Sequence, residues 1–456
     1  MNQYLVVGIV FLVVIALLAT NKKLVETLKN IYKIEELRKR VIYTIGLLLV
    51  YRLGSFVVIP GINPNALGEG SALASQLDGN GLLGLLNVFS GGAFGNAAIF
   101  ALGVMPYITA SIIIQLMGMM IPYFQKMQKE GESGRRKMNQ WTRFLTIGVL
   151  ILQGPAYIAN LYHQVPSAFV YGNSFGFVAY ATTILIAGTM FIMWLGEKIT
   201  DKGIGNGISI ILFAGILSRV PSMVGSMGSS LRSGTMTWWM AVLVVLGILA
   251  LIVLITWVNG AERRIPVQYA KRQVGRKMYG GQASTLPMKV NMSGVLPIIF
   301  AQTIASLPAT IWAFIGIPEE GTVGRSIYNA IDTKSVLYLI VYFLMIIGFS
   351  YFYATIQFNP VEISNNLKRN GGFIPGFRPG KPTSDFIAKV LNKVTLFGAI
   401  YLGIVAICPL IAGKLLGNSS LAIGGTSVII VVGVALETVR ALESQMMMRQ
   451  YKGFLE

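Results

Sequence analysis

Charge is scarce in this sequence. Asp, Glu, Lys and Arg make up 12% of the 456 residues and hydrophobic residues 54%, too little polar surface to wrap a soluble body of this size. Cysteine is almost missing: Cys408 has no partner within the chain, so an internal disulfide or thiolate metal centre is excluded. Also missing are the ten-residue segments of alternating polarity that a transmembrane barrel requires, since runs such as Trp239 to Val258 do not alternate. Acidic residues are few against basic ones, 18 against 37, giving a net charge of +19. An excess of that size fits either a nucleic-acid partner or the retained basic loops of a membrane protein, and the positions of the charges decide between them.

What is present is a series of apolar blocks about twenty residues long, the length a helix rising ~1.5 Å per residue needs to cross ~30 Å of hydrocarbon. Spans are expected near 4–19, 41–60, 97–120, 144–161, 174–196, 208–224, 237–258, 295–317, 335–357, 394–413 and 424–441. Placing alternate connections on one side collects 31 of the 37 Lys and Arg there, with four opposite and Arg52 and Arg219 inside spans. That skew marks the basic side as cytoplasmic. The connection 61–81, with Glu69 and Asp78 and no basic residue, is then external. Ten spans from Val41 onward leave both ends of that region in the cytoplasm. Leu24 to Arg40 becomes a cytoplasmic amphipathic helix with Leu24, Leu28, Ile31 and Ile34 as its apolar stripe. The leading block, Tyr4 to Ala19, lacks a basic n-region and a clear cleavage site, so an extra span is expected there rather than a removable signal peptide.

Away from their ends, ten of the eleven spans contain no ionisable residue. Ion-coupled transporters need such groups to carry a proton or hold an ion, so that class has little support. Arg52 is the exception, and its ordinary reading is a side chain that snorkels or hydrogen-bonds backbone. Enzyme motifs are equally thin. Gly172 to Gly176 has the spacing of a nucleophile elbow at Ser174, with His163 in the same loop, but it stands beside a span and not between a strand and a helix. The glycines at 203, 205 and 207 resemble a phosphate loop that no Lys-Ser/Thr pair follows. Neither a nucleotide site nor a catalytic site is expected, and a secondary transporter or membrane-embedded protease is kept only as an alternative.

Between the second and third blocks lies Leu82 to Phe94, apolar but too short to cross. It must fold back or pack within a bundle, and its glycines permit the turn. A displaceable stopper and a static re-entrant segment both fit these residues.

Asn87 to Gly92, followed by Ile99-Phe100-Ala101-Leu102-Gly103-Val104-Met105-Pro106-Tyr107-Ile108, is similar to the plug and the pore-lining helix of the SecY/Sec61-alpha family of protein-conducting channels. Further matches run in order: Lys129 to Arg136, Met193 to Glu197, the glycine turn 203–207, Tyr269 to Arg276, Leu286 to Met292, Gly376 to Gly380 and Gly424 to Ser427. The resemblance covers about 430 residues and departs from the family only in the leading block.

The resemblance implies an all-α polytopic fold, a ten-helix channel in two inverted pseudo-symmetric halves, with one possible extra helix at the N-terminus. The implied organisation is an extra hydrophobic segment 1–23, the cytoplasmic helix 24–40, a first half 41–224 holding the plug 82–96, a second half 225–441 with cytoplasmic loops 261–294 and 358–393, and a tail 442–456. It implies a pore ring of Val104, Ile108, Ile208, Leu212, Ile299 and Ile430, whose aliphatic side chains offer ions and water no hydrogen bonds. The plug would comprise Leu82, Leu83, Leu85, Leu86, Asn87, Phe89, Ser90, Gly91 and Gly92, and a side exit would be tuned by Thr109, Gln115, Gln302 and Thr303. The ordinary reading of those four polar residues is interhelix hydrogen bonding. Arg272, Arg276, Lys277 and Arg378, in loops read as mobile, would dock a partner; Arg378 is held between Pro375-Gly376 and Pro379-Gly380. The implied partners are SecE and SecG, the motor ATPase SecA, the ribosome through its RNA, signal peptides and nascent chains, and membrane lipid. No cofactor and no metal is implied, and the implied place is the bacterial cytoplasmic (inner) membrane.

Overall fold

The computed structural model describes residues 34–67, 82–172, 174–234, 237–269, 272–274, 277–279, 283–292, 294–315, 324–325, 330, 335–415 and 419–450. The leading block 4–19 and most of the amphipathic helix 24–40 lie outside the described residues.

The first helix, α1 (Glu35–Gly54), carries Glu35 and Glu36 in its first turn and Arg52 in its last, charges that suit the two ends of a helix dipole. It runs unbroken through the boundary expected at 40/41. It stops short of 60 because the chain beyond it turns extended: Ile59 N–H donates to Ala97 O at 2.9 Å and Ile99 N–H to Val57 O at 2.9 Å. The same pairing removes 97–104 from the expected span 97–120. After α2 (Leu82–Phe89), helix α3 (Met105–Met120) begins only where Pro106, with its preset φ, opens the first turn. At Ile121, extended before Pro122, the chain bends by 100° into α4 (Pro122–Lys129).

Helices α5 (Glu132–Gln164) and α6 (Phe175–Lys202) pack side by side, joined by Arg143 gripping both Glu197 oxygens at 2.7 and 2.6 Å. Next come α7 (Gly207–Leu217), capped by the Asn206 side chain, α8 (Val220–Arg232) and α9 (Trp238–Gly260). The expected span 208–224 is therefore two helices, and the expected boundary between halves at 224/225 falls inside α8.

Strands β1 (Glu262–Tyr269), β2 (Arg272–Val274), β3 (Lys277–Tyr279) and β4 (Ala283–Lys289) precede α10 (Leu296–Ile315), α11 (Val336–Gln357) and α12 (Pro360–Arg369). Then follow β5 (Gly372–Phe373), α13 (Lys381–Leu415) and α14 (Ser419–Gln450). The fold is thus helical with a small sheet. β1 pairs antiparallel with β4 along its length and with β5 at Gln268–Phe373 and Tyr269–Gly372. Ile265 and Val267 point inward while Arg264, Pro266 and Gln268 point out. The inward pair packs with Met288, Ile374, Ile387 and Leu391 in a core of its own. The two loops read as mobile, 261–294 and 358–393, thus contribute strands to one folded unit.

Among the described residues, six helices are long and apolar enough to cross a membrane, seven if the bent pair α3–α4 is one span. α9 turns Trp238, Val242, Leu246, Val253 and Trp257 outward, an apolar face that suits lipid.

Candidate functional site

The six candidate ring residues come from four helices and meet in one apolar cluster. Val104 and Ile108 flank the start of α3, Leu212 lies on α7, Ile299 on α10 and Ile430 on α14; all five are buried, and the partly exposed Ile208 packs against them. The cluster also contains Val88, Phe89 and Ala93 from the segment after the first helix. One turn further along α10 and α14 the surroundings become polar. A cavity of about 460 Å³ is lined there by Asn259, Lys289, Asn291, Glu437 and Arg440 beside Val295 and Gly433. A polar recess thus adjoins the apolar cluster, sharing Val295 with it.

α2 rests on α7, α10 and α14, the helices that carry Ile208, Leu212, Ile299 and Ile430. Gly84 is buried, Leu86 half-buried and packed against a separate apolar cluster that includes Ile59, Phe94 and Tyr157, and Phe89 buried, while the side chains of Leu82, Leu83 and Leu85 lie outside the described residues. Polar groups tie the end of the segment together: Asn87 Oδ1 accepts from Gly95 N–H at 3.0 Å, and Ser90 Oγ accepts from Phe94 N–H at 3.0 Å. Tyr157 of α5 donates to Phe94 O at 2.7 Å. Gly91 and Gly92 adopt positive φ and turn the chain back.

The four polar gate candidates divide. Thr109 and Thr303 donate to carbonyls of their own helices, Met105 O at 3.1 Å and Ile299 O at 2.8 Å. Gln115 does cross between helices, but to α11: Tyr353 Oη donates to Gln115 Oε1 at 2.5 Å. Gln302 is buried with its amide oxygen lacking a hydrogen-bond partner among the described residues. Tyr353 carried no local signal in the sequence, because its partner is 238 residues away.

Among the docking candidates, Arg272 and Lys277 sit on the paired strands β2 and β3, their side chains outside what is described, and Arg276 lies outside the described residues. Arg378 is exposed on a turn held from both sides. Thr383 Oγ1 donates to Arg378 O at 2.8 Å, Ser364 Oγ to Gly380 O at 2.8 Å, and Phe377 lies 4.3 Å from the Phe386 ring. Ser174 and His163 are both exposed, Ser174 as the residue preceding α6.

Arg52 hydrogen-bonds backbone, as its ordinary reading has it, but the carbonyl is that of Gly91, at 2.7 Å. It lies in the last turn of α1 and not at mid-span.

Comparison with known proteins agrees with this architecture. A family profile described as SecY matches residues 98–439. The chain is 42% identical over 438 residues to the protein translocase subunit SecY of Streptomyces scabiei, covering 93% of this chain and 98% of that one. It is 40% identical over 439 residues to the protein translocase subunit SecY of Staphylococcus aureus strain NCTC 8325, covering 94% and 99%. Among solved structures, one described as a protein-conducting channel superposes with a TM-score of 0.62 at 17% identity, over 90% of this chain and 92% of that one. Sec61 in the canine ribosome-channel complex from the endoplasmic reticulum gives 0.59 at 16% identity, again over 90% and 92%.

Proposed function

Since the chain belongs to the SecY family of multi-pass membrane proteins, we propose that it is the pore-forming subunit of a protein translocase in the bacterial cytoplasmic membrane. It passes unfolded secretory polypeptide through the constriction at Val104, Ile108, Ile208, Leu212, Ile299 and Ile430, and releases apolar segments sideways between α3 and α10. The observation that carries this reading is that those six aliphatic residues share one apolar cluster with Val88, Phe89 and Ala93 of the segment 82–96. Branched aliphatics yield around a moving chain yet keep the unoccupied gap dry. Helices α1 and α3 to α8 form one half of the channel and α9 to α14 the other, with 82–96 as a plug on the external side. Whether 1–23 adds a span does not alter that pathway.

The driving energy comes from partners. The sheet β4-β1-β5 and the turn at Arg378 form a basic platform for the RNA phosphates of the ribosome or for the motor ATPase SecA. The lipid-facing side of the bundle carries the accessory subunits SecE and SecG. Signal peptides enter at the boundary between α3 and α10.

The test is site-specific crosslinking. A secretory chain stalled in transit is expected to crosslink to cysteines placed at 108 and at 299, and to fail at 242 on the lipid face of α9. A stalled chain that touches neither 108 nor 299 would remove the pore assignment. At the side exit, Tyr353→Phe deletes the bond to Gln115 while keeping the ring. A hydrogen bond between membrane helices averages ~0.6 kcal/mol, so export of a precursor with a shortened apolar signal should rise roughly threefold. Unchanged export would show that the bond does not hold the gate.

A further inference from the structure

We propose that Arg52, with Tyr51 beside it, is the latch that holds the plug closed, by hydrogen bonding the two carbonyls at the C-terminal end of α2. The inference rests on reading 82–96 as the plug.

α2 ends in a motif that presents these carbonyls. Gly92 N–H donates to Asn87 O at 2.8 Å and Gly91 N–H to Val88 O at 3.1 Å, with Gly91 at φ +66. Those bonds satisfy carbonyls of the last turn; Gly91 O and Ser90 O, the latter also accepting from Ala93 N–H at 3.3 Å, lie just beyond the helix end. Arg52 Nη1 donates to Gly91 O at 2.7 Å and Tyr51 Oη to Ser90 O at 3.3 Å, two consecutive side chains of α1 on two consecutive carbonyls of the plug. A guanidinium at the negative end of a helix is favoured by the dipole as well as by the bond.

Both latch residues are fixed from behind. The Arg52 guanidinium lies 4.6 Å from the Phe56 ring centroid, and the Tyr51 ring is stacked on Phe100 at 6.1 Å. The opposite wall is α7. A Cβ at Gly215 would meet Phe89 O at 3.0 Å, and one at Gly91 would meet Gly215 Cα at 3.1 Å, so the end of the plug lies backbone to backbone in a notch between α1 and α7. Arg219, just after α7, stands at the same turn: a Cβ at Gly92 would lie 3.4 Å from its Nη1, so two guanidiniums flank the end of the plug, and Arg52 donates to Gly91 O.

The latch lies within the first half, on α1 and α7, while the side exit lies between α3 and α10. Parting the two halves therefore leaves the latch intact, and plug release is a separate step. This predicts a leak without a change at the gate.

The experiment is a two-by-two set on the full chain purified in its native complex: wild type, Arg52→Ala, deletion of 82–96, and both together, each reconstituted into planar bilayers. Arg52→Ala is expected to raise resting conductance about tenfold, the scale of losing a charge-assisted hydrogen bond, and to add nothing once 82–96 is deleted. Crosslinking of a stalled chain to a cysteine at 299 should stay at the wild-type level. An equal rise in both backgrounds places the effect in the channel wall and overturns the latch; so does a resting conductance that Arg52→Ala leaves unchanged. If the deletion alone changes nothing, it is the plug reading that fails, and the latch with it. Should Arg52→Ala not assemble, Arg52→Lys, which keeps the charge and a donor, is expected to seal nearly as wild type, and Tyr51→Phe to leak by a smaller factor. A Tyr51→Phe conductance equal to wild type, together with an Arg52→Lys conductance equal to that of the deletion, would overturn the paired latch.

Discussion

Channels lacking Leu82 to Asn96 will conduct ions at rest at least about tenfold better than the intact protein. The segment places Val88, Phe89 and Ala93 in the same apolar cluster as the ring, each no more than 7% exposed. Burying a Val or Phe side chain is worth ~1.5–3 kcal/mol, so these residues bias the pore toward its sealed state by more than the ~1.4 kcal/mol that a tenfold change in population requires. The aliphatic ring remains in the deleted channel, so the leak should stay well below that of an open pore. Bilayer recordings on purified complex, without substrate, measure both. Unchanged conductance would make 82–96 a packing element with no part in sealing.

Arg378→Glu is expected to lower secretion by roughly tenfold or more while the channel stays folded, because reversing an interfacial charge replaces attraction by repulsion. The side chain is exposed and the turn is held by backbone: Thr383 bonds the Arg378 carbonyl and Ser364 that of Gly380, bonds that any residue at 378 preserves. Arg378→Ala should fall between the two, and the deficit of Arg378→Ala should shrink as salt rises, since a screened contact has less to lose. Export of a secretory precursor into inverted membrane vesicles reads this directly. Normal export by Arg378→Glu would take the docking role away from this turn.

The greater part of the helical bundle was legible in the chain. The expected span 335–357 corresponds to α11 (Val336–Gln357), since an uninterrupted apolar run with Ser335 in front leaves a helix little freedom in its ends. The errors cluster where backbone pairs with backbone. The span expected at 97–120 loses its first third because 57–59 captures 97–99, and hydropathy is blind to that exchange. The strands β1 to β5 were missed for a related reason. Ile265 and Val267 alternate with Arg264, Pro266 and Gln268, a period-two signal only a few residues long, and one partner strand, Gly372–Phe373, lies about a hundred residues away. Arg52 was noticed as the one charge inside a span away from its ends, yet nothing near it in sequence names Gly91 as its acceptor.

Residue type and block length were enough to place this chain in lipid and to choose helices over a barrel. Partition into a membrane is close to a sum over consecutive residues, which a linear string already contains. Which side chains meet is another matter: Tyr51 with Ser90, Arg52 with Gly91, Gln115 with Tyr353, and Ile108 in one cluster with Ile299 and Ile430. Those meetings depend on crossing geometry and on close approaches such as Gly91 against Gly215, which arise only once the helices pack.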